Sequence, residues 1–151
     1  MLLHDAGLAY LHFVLAFVLV GALVAEAFIL RLPVDGRVAR LLLRVDLFYG
    51  VSAFLLILAG VSRVIWGAKG WDYYQSQPFF WAKIATFAAI GLISIAPTRA
   101  FLRWNKAAGA DPAFAATEVE QRKVRRAVVF ETHLIALLLL FASLMARGIG
   151  A

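Results

Sequence analysis

The sequence predicts an all-α integral membrane protein, a single domain over residues 1–151 folded as an antiparallel four-helix bundle. Three observations predict it. First, 64% of the residues are hydrophobic, against about 45–50% in soluble domains, and a chain of 151 residues has too little interior to bury that excess. Second, the apolar residues fall into four runs, at 7–30, 41–66, 78–97 and 127–146. Each approaches or exceeds the roughly 20 residues that cross a bilayer as a helix. Third, the basic residues alternate between the connections, as they do in multi-pass proteins.

The first run, 7–30, has Asp5 before it as a candidate N-cap, and Pro33 with Asp35-Gly36 makes the turn after it. It is expected to be a retained helix. It has no basic flank, its apolar core exceeds the about 7–15 residues of a signal peptide, and Glu26 spoils Ala25-Glu26-Ala27 as a cleavage site. The second run, 41–66, stops at Gly67. The third, 78–97, opens on Pro78, a good first-turn residue, and is expected to end near Pro97. The fourth, 127–146, belongs to a helix expected to begin earlier, at Asp111-Pro112, and to project several turns before entering lipid.

Orientation follows from Lys and Arg. The first connection carries Arg31, Arg37, Arg40 and Arg44. The third carries Arg99, Arg103, Lys106, Arg122, Lys123, Arg125 and Arg126. The second connection and its flanks carry only Arg63, Lys69 and Lys83, and the tail Arg147. Connections one and three are therefore expected in the cytoplasm of a bacterial inner membrane, with both termini periplasmic. Trp66, Trp71, Tyr73, Tyr74 and Trp81 surround the second connection as an aromatic belt and partial lid. The net charge of +6 fits lipid phosphates. Nucleic acid is excluded as a partner, because no aromatic-basic motif that reads bases accompanies the charge. The absence of cysteine excludes disulfides and thiolate metal sites.

Depth decides which intramembrane polar residues meet, at about 1.5 Å per residue. His12, Arg63 and Lys83 come from three helices and share an outer layer. Glu26, Asp46, Glu131 and His133 share an inner one. Helical phase keeps His12 and Glu26 within about 40° of each other, and places Tyr49, Ser52 and Arg63 on one face and Lys83 with Ser94 on another. Glu131 and His133 are about 200° apart, so only one of them points into the bundle. The outer layer has two readings. Lys83 and Arg63 either snorkel to the surface or hold an anionic group such as a porphyrin propionate, a quinone oxygen or a lipid phosphate. His12 either bonds a neighbouring helix or serves as an axial haem ligand, which would make it the metal-binding residue. His12 and His133 cannot share one iron, since they differ by roughly 12–15 Å in depth. In the inner layer, Glu26 is either neutral through burial or paired with a loop arginine. The layer is either a proton path or a set of helix–helix hydrogen bonds.

Three segments carry a resemblance: Ala9-Tyr10-Leu11-His12-Phe13-Val14-Leu15-Ala16-Phe17, Leu43-Arg44-Val45-Asp46-Leu47-Phe48-Tyr49-Gly50-Val51-Ser52-Ala53, and Phe79-Phe80-Trp81-Ala82-Lys83-Ile84. In these the chain resembles an uncharacterised family of small bacterial four-helix membrane proteins, a domain of unknown function. A more distant resemblance is to the four-helix membrane protoporphyrinogen oxidases, which bind haem. It is carried by Leu11-His12, by Arg40-Leu41-Leu42-Leu43-Arg44 and by Trp81-Ala82-Lys83. That family's Asn-Glu-x-Pro at the fourth helix is represented here only by Glu131. Its histidine late in the third helix is replaced around Ile95-Ala96-Pro97-Thr98. The resemblance implies haem b or a related porphyrin at His12 and Lys83, in porphyrin- or quinone-linked oxidoreductase chemistry. The competing expectation is a non-enzymatic membrane partner or small transport component without a chromophore. So few internal polar contacts also predict a homodimer.

Overall fold

The computed structural model describes residues 2–67 and 70–149, with side chains from residue 6 onward. Lys69 and the side chain of Asp5 therefore lie outside the described residues. The elements are α1 (Leu2–Ile29), α2 (Gly36–Trp66), α3 (Gly70–Gln75), α4 (Pro78–Ala110) and α5 (Glu118–Ala146). All but α3 are long and apolar enough to cross a membrane. Apolar side chains such as Phe13, Phe17, Phe48, Phe54 and Leu92 point outward. An outward apolar surface of this extent is what lipid tails require and water penalises.

The long helices pack in a ring, α1 on α2, α2 on α4, α4 on α5 and α5 on α1, with α1–α2 and α4–α5 the tightest pairs. On α2 the buried positions are Ala39, Leu42, Asp46, Tyr49, Ser52, Leu56 and Ala59. Their spacings of three and four keep one stripe turned inward. That stripe reads apolar, polar, apolar along its length, and this pattern layers the whole interior.

Helix α2 begins at Gly36, five residues before the expected run at 41–66, and three further helix boundaries differ from the sequence expectation. Helix α1 begins at Leu2, so Asp5 sits inside it rather than capping it. Helix α4 does not end at Pro97. It runs on to Ala110 with Pro97 buried within it. Proline there removes only its own N–H bond to the turn before, and packed neighbours in a membrane bundle tolerate that loss. Helix α5 does not begin at Asp111-Pro112. Asp111 instead ends α4, its N–H bonding Ala107 O, and its side chain accepts from Ala113 N at 2.8 Å to make the turn. Thr117 caps α5, accepting from Glu120 N at 3.4 Å. The end of α4 and the start of α5 are joined by an ion pair between Arg103 and Glu120.

The face that carries the first and third connections, the basic face, is stitched together. Asp35 caps α2 by accepting from Arg37 N at 2.9 Å and Val38 N at 2.8 Å. Ala116 N donates to Val34 O at 2.9 Å, within an isolated bridge between Asp35 and Ala115. Gln121 Nε2 donates to Leu30 O at 2.9 Å and Leu32 O at 2.7 Å. It thereby satisfies carbonyls that the end of α1 leaves open.

Candidate functional site

Two polar layers occur inside the bundle, as depth and phase predict, and an apolar section separates them. The layer near the face carrying the termini, the terminal face, holds His12, Arg63 and Lys83. All three are half-buried. The His12 ring lies against Gly60 of α2, with Cε1 3.8 Å from where a Cβ at residue 60 would stand. Arg63 is one turn further along α2, and Lys83 approaches from α4. Both cations act electrostatically on the imidazole, and on each other. His12 Nδ1 and Arg63 Nε are buried with no hydrogen-bond partner. Such orphans are uncommon in folded proteins and call for an explanation.

Lys83 Nζ sits over the Phe80 ring, 5.9 Å from its centroid, a cation–π contact. Phe80 belongs to an aromatic cluster with Trp71, Tyr74 and Trp81. Trp81 Nε1 donates to Gln75 O at 3.1 Å, and Tyr73 OH donates to Met145 O at 3.4 Å. These contacts tie the short helix α3 to the start of α4 and the end of α5. Sequence reasoning missed Gln77, which is buried with Oε1 unpartnered. A glutamine next to a proline at a helix start reads as loop, and nothing in its local sequence signals burial.

The deeper layer holds Glu26 from α1, Asp46 and Tyr49 from α2, Thr98 from α4 and Glu131 from α5. The three carboxylates are 1%, 7% and 1% exposed for Glu26, Asp46 and Glu131. Thr98 Oγ1 donates to Asp46 Oδ1 at 2.9 Å, and Tyr49 OH donates to Glu131 Oε2 at 3.3 Å. Glu26 interacts electrostatically with both other acids. Its Oε1 has no partner, and neither has Glu131 Oε1. The ion pairs among the described residues are Arg103 with Glu120 and Arg122 with Glu118, so Glu26 is not paired with an arginine of the first connection. No group of three or more His, Asp or Glu side chains among the described residues is arranged to hold a metal ion.

His133, expected in this layer by depth, is not part of it. It is exposed on α5, and its Nδ1 bonds Val129 O of its own helix at 2.7 Å. The 200° phase offset from buried Glu131 is the reason. Thr98 and Tyr49 complete the layer instead. Tyr49 was legible from the inward stripe of α2, whereas Thr98 lay beyond the proline at which α4 was expected to stop.

Between the layers, Ala16, Leu19, Leu56, Phe87, Ile90 and Ile135 line a partly open apolar pocket of about 30 Å³, room for a water molecule. On the other side of the carboxylates, Leu30, Leu42, Phe101, Trp104 and Val124 are buried and close the basic face.

A ring of four apolar spanning helices with polar side chains turned inward defines a multi-pass integral membrane protein. The particular family is shown by its model, which matches residues 4–150: the chain belongs to the DUF2214 family of predicted membrane proteins. No curated protein and no solved structure matches it.

Proposed function

We propose that the protein binds haem b or a related porphyrin in its terminal-face layer and acts in redox or porphyrin handling. His12 would be the axial ligand, and Arg63 and Lys83 would hold the propionates. The observation that carries this reading is the unpartnered His12 Nδ1 beside two cations from two other helices. The donor set suits the group: an imidazole for iron and cations for carboxylates. Haem would supply one-electron chemistry. The residues of this chain would anchor it, offset its anionic edge and keep water away beneath the aromatic cluster. The apolar pocket between the two layers, lined by Ala16, Leu19, Leu56 and Phe87, holds about 30 Å³, so a macrocycle reaching into the bundle requires the helices to part. That small volume favours a second reading with the same three residues, in which a quinone oxygen anchors there and its ring lies towards lipid.

The visible spectrum of the purified protein in mild detergent tests the assignment. A Soret band is expected, retained in His133→Ala and lost in His12→Ala. If no chromophore is seen, even after reconstitution with haemin, the porphyrin reading falls. Retention of a bound quinone in an organic extract of the same preparation would then support the second reading. Loss of both would leave a membrane partner or transport component without a chromophore. A homodimer is part of the proposal, and particle mass in nanodiscs reads it directly.

In this reading the protein lies in a bacterial inner membrane with both termini periplasmic. The balance of Lys and Arg across the two faces supports that orientation. The chain has no cysteine, which makes accessibility labelling clean. Ala113→Cys in the third connection is expected to resist a membrane-impermeant maleimide in intact spheroplasts, and Ile149→Cys to react. The opposite pattern would invert the orientation.

A further inference from the structure

The terminal-face layer leaves the carboxylate layer unexplained. Three acids from α1, α2 and α5 meet inside a membrane bundle. The groups facing them are Tyr49 from α2 and the Thr98 and Ser94 hydroxyls from α4. No cation pairs with any of the three among the described residues. Three unpaired negative charges cannot persist together in a medium of low dielectric. Each isolated buried carboxylate is strongly penalised, and neighbours of like charge raise the penalty. Asp46 and Glu131 each accept one hydroxyl hydrogen bond, from Thr98 and Tyr49; one neutral donor apiece does not offset the repulsion between ionised neighbours in this medium, so at most one of the three acids carries its charge. The unpartnered Oε1 of Glu26, on a side chain 1% exposed, is where a missing ligand is most plainly needed. The oxygens are not arranged as a metal site. The proton is the one cation that needs no coordination shell.

We propose that Glu26, Asp46 and Glu131 form an occluded proton-binding site that holds at least two protons at neutral pH. Buried apolar side chains lie on both sides of the site, Leu19, Leu56, Ile90 and Ile135 towards the terminal face and Leu30, Leu42, Phe101 and Trp104 towards the basic face. Exchange with water therefore requires helices to move. Pro97 lies at this depth, one residue from Thr98 and three from Ser94, where the hydrogen-bond ladder of α4 is already interrupted. Bending of α4 there would carry Thr98 away from Asp46 and couple proton release to a change in bundle shape.

Infrared spectroscopy of the full chain in nanodiscs tests this. At pH 7 the wild type is expected to show the C=O stretch of protonated carboxylic acids. The band should lose intensity in Glu26→Gln and in Glu131→Gln, and should shift only slowly after transfer to D2O. Selective ¹³C labelling of glutamate in the wild type must move the same band, which keeps the test decisive if a variant fails to fold. A spectrum at pH 7 with no protonated-acid band sensitive to that label overturns the proposal. So does a carboxylate band that responds to added sodium, which would identify a metal cation as the ligand. The result is independent of the terminal-face site. Fourteen residues of α1, about 21 Å, separate Glu26 from His12. Glu26→Gln should leave any Soret band unchanged, and His12→Ala should leave the protonated-acid band unchanged.

Discussion

Trp104→Ala is expected to destabilise the protein by about 3–5 kcal/mol, the range for removing a large aromatic from a packed core. Trp104 is the largest fully buried side chain, 1% exposed, whereas Trp66, Trp71 and Trp81 are 66%, 50% and 50% exposed. It packs against Phe101, with ring centroids 5.8 Å apart, in the plug that closes the basic face. The void left behind has no partner atoms on one side. Equilibrium unfolding of the detergent-solubilised protein in SDS reads the difference. Trp66→Ala, at a lipid-facing position, should stay within about 0.5 kcal/mol of the wild type. Equal effects at the two positions would mean that the basic-face plug is not a packed core.

The second large effect is expected from a single methyl group. At Gly67, which ends α2, an added Cβ would stand 2.1 Å from the carbonyl oxygen of Arg63. That contact is with backbone, so no side-chain rotation relieves it. The Gly67 N–H bonds the same oxygen at 3.0 Å, and this bond closes the last turn of α2. Gly67→Ala must therefore displace the turn that carries Arg63 and tilt the start of helix α3. A loss of about 1–3 kcal/mol in stability is expected, in the range for overpacking. Under the proposed function, the Soret band should weaken with it. By contrast, Gly21→Ala on α1 meets nothing within 4 Å and serves as the control. Indistinguishable unfolding curves for the two variants would show that the α2 terminus adjusts freely.

How much of this was legible beforehand differs residue by residue. The outer layer was readable because its three members are polar residues in apolar runs, and helix direction sets their depth. Glu26 and Asp46 were readable for the same reason. His133 passed the depth argument and failed the phase argument, and phase decided, since a helix shows each residue to one side only. Thr98 was hidden by Pro97, which reads as a terminator in a local view. Gln77 was hidden because it stands in a short connection beside Pro78, where the local sequence reads as loop, yet it is 1% exposed. The start of α5 was misplaced because Asp111 caps a turn as readily as it caps a helix. Only the neighbouring α1–α2 connection, pairing with residues 115 and 116, determines where the loop ends.

By itself, the sequence determined that this chain spans a membrane four times, at which depth its polar residues in the apolar runs lie, and which of them share a helix face. These follow from length, hydropathy and the fixed rise and twist of a helix, all of them local quantities. The tertiary structure alone decided which side chains of equal depth touch. It placed Tyr49 on Glu131 and Thr98 on Asp46, left Glu26 without a partner, and set buried apolar side chains on both sides of them. Contacts between helices depend on their order around the ring and their axial offset. Both are set by packing summed over the whole bundle, which no single helix encodes.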